Sequence, residues 1–442
     1  MALRFGTDGV RGTALTDLTT DFASALGRGA VDVLGAGRWL VGRDPRESGA
    51  ALESAVATGL ASAGADPLLA GVLPTPALAW LSSVLGVPSV MVTASHNPWH
   101  DNGLKVFAAG GLKLSDELEQ RIEEAIHRQA ATQVERRDRS EPATPARIDG
   151  AADYVRHMID TAAPIEGLHV VVDCANGAMS GVAPEVLSTL GAQVSVLHAS
   201  PDGRNINDQC GATDTAALQA AVVDGRADLG LAFDGDGDRV IAVDERGQVV
   251  DGDRLLALAA LRLRDRGELR GNTVVVTVMS NLGFHRAMAA AGIAVATTAV
   301  GDRYVLEALE LGGFSLGGEQ SGHIVYRDLA TTGDGLLAGL QLCAALREHG
   351  GAASLASLAD GVMTSYPQVL VNVSVRERHP DAAGELAGDI AAAESSLGSE
   401  GRVLVRASGT EPLVRVMVEA ATDELAQRIA RDLADTVRRR WA

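Results

Sequence analysis

The chain has 442 residues with 57 acidic against 38 basic side chains, a formal net charge of -19, and is 46% hydrophobic and 21% charged. This is too long for one hydrophobic core and has the balance of a folded rather than a disordered chain, so three or four domains are expected. The acidic excess argues against a nucleic-acid or anionic-membrane partner, either of which needs a broad basic surface, and leaves room for a small anionic substrate held by a few arginines.

Cys174, Cys210 and Cys343 are odd in number and far apart in the sequence, suggesting neither a disulfide framework nor a zinc site. A reducing cytoplasm is the expected location. Asp8 and Arg11 stand among glycines where a signal peptide needs an apolar core, and the most membrane-like window, 72–92, is broken by Pro74, Pro76, Gly86 and Pro88.

In chain order, a phrase recurs three times: a helical stretch ends in glycine and passes into an apolar run. The copies are Leu60–Gly64 into Asp66–Val72, Leu187–Gly191 into Gln193–Leu197, and Met288–Gly292 into Ile293–Val300. An apolar run lies upstream of each, which predicts three βαβ-containing modules. A further strand in each module leads to a polar loop. Pro88–Val92 gives Thr93–Pro98, with Asp101–Gly103 expected to turn the chain back. Asp228–Phe233 gives Asp234–Arg239, and Phe314–Leu316 gives Gly317–His323.

The segment Gln129–Arg147 is charged and non-periodic and reads as a linker near residue 150. After Tyr366 the texture changes to strand, helix, two strands and helix. The expected fold is α/β: three similar α/β modules with mixed sheets around a central cleft, plus a smaller C-terminal α+β domain. The expected boundaries are 1–150, 151–251, 252–365 and 366–442.

Asp234, Asp236 and Asp238 alternate with glycines after a buried strand, and three carboxylates so close call for a hard cation. An EF-hand is excluded, because Arg239 stands where its loop needs glycine and the flanks are strands; Mg²⁺ holding a phosphate fits better. Arg406–Thr410, with Arg415 on the next strand, offers backbone N–H groups, the Ser408 and Thr410 hydroxyls, Gly409 for close approach, and guanidinium groups, a combination suited to phosphate. Glu319, Ser321 and His323 alternate through a glycine-bounded loop and could face sugar hydroxyls or an amino group.

Taken alone, Thr93–Pro98 is better explained as a plain turn. The other loops overturn that reading. No G-x-S-x-G elbow surrounds Ser95, whereas a cation loop and phosphate donors are present, so Ser95 is read as a phosphate carrier.

The four loops, in this order, resemble those of the α-D-phosphohexomutase superfamily over essentially the whole chain: phosphoserine loop, magnesium loop, sugar loop and phosphate loop. The segments Phe5–Gly12 and Val300–Val305, with Gln320 where mannose- and glucose-phosphate relatives commonly carry methionine, are similar to its bacterial glucosamine-phosphate branch. Thr93 in place of serine and Gly237 in place of alanine depart from the pattern without changing a ligand atom.

The resemblance implies interconversion of glucosamine 6-phosphate and glucosamine 1-phosphate through phosphorylated Ser95 and a sugar 1,6-bisphosphate, with the hexosamine phosphate as partner. It also implies that one Mg²⁺ is held by Asp234, Asp236, Asp238 and the Ser95 phosphate. His96, Lys105, Arg11 and Arg239 become candidates for charge stabilisation or proton transfer, and Arg303, Glu319, Ser321, His323, Arg406, Ser408, Gly409, Thr410 and Arg415 for substrate binding. The sequence leaves a homodimer open.

Overall fold

The structure, a computed structural model, describes residues 3–6, 8–131, 145–349, 353–408 and 412–442. Most of the expected linker near residue 150 lies outside the described residues. Two compact units are present: Met1–Met279 with Ile293–Asp360, and Ser280–Gly292 with Gly361–Ala442.

The first unit holds three sheets built on one pattern. In the first, Arg38–Arg43 pairs in parallel with Asp66–Val72 and with Ser89–Val92, which pairs antiparallel with Asp101–Ala108. His169–Asp173, Gln193–Leu197, Leu229–Phe233 and Val240–Asp244 repeat this arrangement in the second. Thr273–Thr277, Ala294–Thr298, Leu316–Gly318 and Ile324–Tyr326 repeat it in the third. Each sheet therefore has a core of three parallel strands, the last of which forms a hairpin with a fourth strand, and the first sheet carries three further strands. Strands inside such sheets are covered on both faces, which is why Ser89–Val92, Leu229–Phe233 and Thr273–Thr277 are buried along their whole length and read as continuous apolar runs.

The recurrent helix-ending glycines, Gly64, Gly191 and Gly292, take φ of +92°, +96° and +70°, as a left-handed stop requires. The three polar loops all fall at the turn of the hairpin.

One turn differs from the expectation. Asp101–Gly103 does not reverse the chain but opens the returning strand, with Asp101 and Asn102 opposite Thr13 and Gly12 of the amino-terminal strand Val10–Thr13. Gly103 serves close approach: a Cβ there would lie 2.5 Å from Thr93 O. The reversal occurs earlier, where the Asn97 N–H donates to Ala94 O and the Asp101 N–H to Pro98 O.

The second unit is a three-stranded antiparallel sheet in the order Gln368–Ser374, Leu413–Glu419, Arg402–Ala407, covered by the helix Asp423–Trp441. Val373, Val405, Val414, Val416 and Val418 pack against Ala426, Ile429, Leu433 and Val437 to form its core. The helix Leu282–Ala290, placed in the third module by sequence, groups with this unit. Its Leu282 N–H donates to Glu419 Oε2 at 2.9 Å, and Gly283 leaves no room for a Cβ against Thr364 O.

Candidate active site

Ser95 is buried and adopts φ +53°, a strained conformation for a non-glycine residue that persists only when its surroundings over-determine it. Those surroundings are explicit. The Thr93 hydroxyl accepts the Ser95 N–H at 2.9 Å and donates to Asp44 Oδ2 at 2.7 Å. Asp44 accepts from Arg46 Nε at 2.8 Å, and both side chains are fully buried.

From there the Arg46 guanidinium donates to the carbonyls of Ser95 and Asn97, each at 2.8 Å, to Asp101 O at 3.1 Å, and to Pro98 O. Asn207, from the second module, donates to the same Ser95 and Asn97 carbonyls at 2.9 and 3.0 Å. A buried cation and an amide thus fix the loop through its own carbonyls, and the Ser95 hydroxyl is left free to point elsewhere.

It points at the second module. Ser95 Oγ donates to Asp234 Oδ2 at 2.6 Å. The close approach of the two loops depends on absent side chains, since a Cβ on Gly235 would sit 2.6 Å from Ser95 O and one on Gly177 would strike Gly235. One oxygen from each of Asp234, Asp236 and Asp238 lies within 4.8 Å of the others, and all three residues are buried.

Burial, then Asp238 and Asp236, push the Asp234 carboxyl well above the ordinary range. Burial also opposes a charge on Asp238, but Lys105, His323 and Arg239 outweigh it and hold the group below its ordinary value. The Asp236 and Asp238 Oδ1 atoms are buried without a hydrogen-bond partner among the described residues. Crowded carboxylates with unused oxygens are what a divalent cation satisfies, so the set fits Mg²⁺.

Lys105 Nζ lies 2.9 Å from Asp236, 3.2 Å from Asp238 and 2.9 Å from Asp8. Burial alone would lower this ammonium, but the three carboxylates raise it well above normal. Asp8 is also bound by Arg11 at 2.6 Å and Lys113 at 2.7 Å. Arg11 donates onward to Ala94 O and Asn97 Oδ1. Asp236 further accepts from the Thr75 hydroxyl at 2.6 Å. His96 Nδ1 is 3.3 Å from Ser95 Oγ, and burial, then Arg239 and Arg11, lower it to about 4, so the imidazole is neutral at pH 7. The Arg239 N–H donates to Asp234 Oδ1 at 3.2 Å, and its guanidinium lies 3.7 Å from Asp238.

The Glu319–His323 loop is a tight turn rather than an extended edge, closed by the Glu319 N–H on His323 O and the Gly322 N–H on Glu319 O. Ser321 is exposed, Glu319 half-buried, and His323 buried, with neither ring nitrogen hydrogen-bonded among the described residues and Nε2 3.8 Å from Asp302. Arg303 pairs with Glu119 at 2.6 Å and with Asp116, so its charge is engaged by the first module.

In the second unit, Arg406 and Arg415 are directly opposite on neighbouring strands, and neither Nε has a hydrogen-bond partner among the described residues. Burial, then Arg415, lowers Arg406. Two adjacent guanidinium groups in this state suit an anion. The Ser408 N–H donates to Leu413 O at 2.8 Å, while Gly409 and Thr410 lie outside the described residues.

The sequence reading assigned no role to Asp8, Asp44, Arg46, Thr75, Lys113, Asn207 or Asp302. Asp44 and Arg46 carried one usable signal, since they follow the strand Arg38–Arg43 at the edge where the other loops emerge. Thr75 and Asn207 carried none, because only tertiary contact gives them a partner.

Four family models cover the chain in order. The phosphoglucomutase/phosphomannomutase alpha/beta/alpha domains I, II and III match residues 2–133, 152–247 and 251–366, and the C-terminal domain matches 370–436. The chain is 53% identical to a phosphoglucosamine mutase of Rhodococcus jostii, covering 99% of each, and 52% identical to that of Kineococcus radiotolerans, covering 100% of each. Its fold is similar to the crystal structure of a phosphoglucomutase/phosphomannomutase family protein from Burkholderia thailandensis. The TM-score is 0.82 at 26% identity, with 98% of this chain and 97% of that one covered. By domain content, domain order and full-length similarity, the chain belongs to the phosphoglucomutase/phosphomannomutase family.

Proposed function

We propose that the protein is a phosphoglucosamine mutase of the cytoplasm, interconverting glucosamine 6-phosphate and glucosamine 1-phosphate through phosphorylated Ser95 and a sugar 1,6-bisphosphate. The observation that carries the reading is the Ser95 hydroxyl, held 2.6 Å from a buried three-aspartate cluster by a loop that is fixed through its carbonyls. The full-length relatives named phosphoglucosamine mutase favour glucosamine over mannose or glucose as the sugar.

Asp234, Asp236 and Asp238, with an oxygen on Ser95, would hold Mg²⁺, which when bound neutralises charge on a transferring phosphoryl group. The chain's own residues do the rest. In the forward half-reaction the bond between Ser95 Oγ and phosphorus breaks as a sugar hydroxyl oxygen bonds to that phosphorus; the hydroxyl gives up its proton and Ser95 Oγ takes one, leaving free serine and the bisphosphate. The second half reverses this with the other phosphate of the reoriented bisphosphate, returning a phosphoryl group to Ser95.

Lys105, bound to Asp236 and Asp238, and Arg11, bound to Ala94 O and Asn97, supply positive charge around the Ser95 loop, and neutral His96 can take a proton. Arg239, at the end of the aspartate loop, feels the charge of Glu319 as well as those of Asp238 and Asp234, and the Glu319 carboxylate, with Ser321, His323 and Arg303, we assign to the sugar. Arg406, Ser408, Gly409, Thr410 and Arg415 we assign to the non-reacting phosphate.

A coupled assay across glucosamine, glucose and mannose phosphates tests the reading. Glucosamine 6-phosphate should be the best substrate, Ser95→Ala should abolish both turnover and the phosphopeptide, and chelation should stop the reaction. Best turnover with mannose or glucose phosphates assigns another sugar, and turnover with none of the three removes the mutase reading.

A further inference from the structure

A second cluster in the second module takes no part in the chemistry above. The Asp173 carboxylate, the His198 imidazole and the Cys210 thiol each place a ligand atom within 4.8 Å of the others. Asp173 ends the strand His169–Asp173 and His198 follows Gln193–Leu197, so the parallel pairing of these strands brings the two together at one sheet edge. Asp173 Oδ2 lies 2.9 Å from His198 Nδ1, while the Ala175 N–H anchors Asp173 Oδ1 at 2.9 Å. Asp173 and Cys210 are buried and His198 is half-buried.

We propose that Asp173, His198 and Cys210 form a second metal site, for a borderline-soft divalent ion of the Zn²⁺ class. One oxygen, one nitrogen and one sulfur suit such an ion, whereas the all-oxygen cluster of Asp234, Asp236 and Asp238 suits a hard one. Two ligands at ~2.0 Å from one tetrahedral ion lie roughly 3.3 Å apart, so the Asp173–His198 pair need open only slightly to admit it. Three protein ligands leave a fourth position for water. Without metal, burial and then nearby Asp173 push the Cys210 thiol up to about 12, so binding releases its proton to solvent.

The site has a structural consequence. His198 and Cys210 bracket a segment in which His198, Asn207 and Gln209 all have positive φ. Asn207 is the residue that donates to the Ser95 and Asn97 carbonyls. An ion joining the two ends of the segment to Asp173 ties down the chain that carries Asn207.

Metal-stripped protein, kept in excess Mg²⁺, is titrated with Co²⁺ as the spectroscopic probe and with Zn²⁺ in competition. One equivalent of Co²⁺ should produce a thiolate-to-cobalt charge-transfer band. Cys210→Ser should abolish it and weaken Zn²⁺ by more than about a hundredfold, a larger loss than outer-shell changes cause. His198→Gln should weaken Zn²⁺ with the band retained, and Asp236→Asn should change neither. The proposal is overturned if wild type gives no band, if the band survives Cys210→Ser, or if it disappears in Asp236→Asn. Should Cys210→Ser fail to fold, unchanged Zn²⁺ affinity in His198→Gln overturns it equally.

Discussion

Single side chains in this protein divide between those that meet substrate and those that hold others in place. Arg415 belongs to the first group under the proposed function: it faces Arg406 on the neighbouring strand, its Nε has no hydrogen-bond partner among the described residues, and its charge stands beside another positive one. Charge-assisted bonds contribute about 1.5–3 kcal/mol, so Arg415→Ala should lower kcat/KM by about tenfold to a hundredfold with an unchanged melting point. A collapsed melting point with normal efficiency would make the residue structural. Arg46 belongs to the second group. Lysine cannot reproduce a guanidinium that binds Asp44 and four carbonyls, so Arg46→Lys should cost on the order of 2 kcal/mol in urea unfolding and lower kcat at least about tenfold. Unaltered kcat in the folded variant would separate the Ser95 backbone from catalysis.

Among the elements, what matters is how near two hairpin turns approach. Ser95 reaches Asp234 only because Gly235 and Gly177 let the backbones come close. Gly235→Ala puts a Cβ 2.6 Å from Ser95 O, a backbone atom held by Arg46 and Asn207 that cannot yield cheaply. A shift of even about 1 Å in a reacting group can cost about a hundredfold, so kcat and phosphate incorporation at Ser95 should both fall by that order while the far-ultraviolet dichroism stays native. Wild-type phosphate incorporation would show that the loops do not need this contact.

For the first unit as a whole, the second and third modules are joined by a buried bond from the Tyr154 hydroxyl to Asp334 Oδ2 at 2.6 Å. Burial raises the Asp334 carboxyl to about 6, against the bonds from Leu337 and Tyr154 that lower it. Between about pH 4 and 6 the folded protein keeps a proton that the unfolded chain has lost. Stability from this group is therefore complete below about pH 4 and declines as pH rises to 6, by on the order of 3 kcal/mol. Asp334→Asn lacks the titration, so its melting point relative to wild type should climb from pH 4 to 7. Parallel curves would mean that Asp334 is ionised throughout.

The sequence by itself determined the repeat and the order of the loops. Glycine stops, continuous apolar strands and alternating aspartates are local patterns with local causes, and they sufficed to place Ser95 and the three aspartates in loops that follow buried strands. The family resemblance makes Lys105 a candidate, but its three carboxylate partners come from two distant segments, 8 and 236–238. The turn expected at Asp101–Gly103 proved to be strand, because pairing with Val10–Thr13 outweighs the local turn preference of Asp, Asn and Gly. The Arg46 clamp, the Asn207 brace and the Asp173, His198 and Cys210 cluster arise only when strand pairing brings distant residues to one edge. Burial then gives these contacts their strength: a carboxylate or guanidinium removed from water must find its partners within the protein, and only the tertiary structure decides which they are.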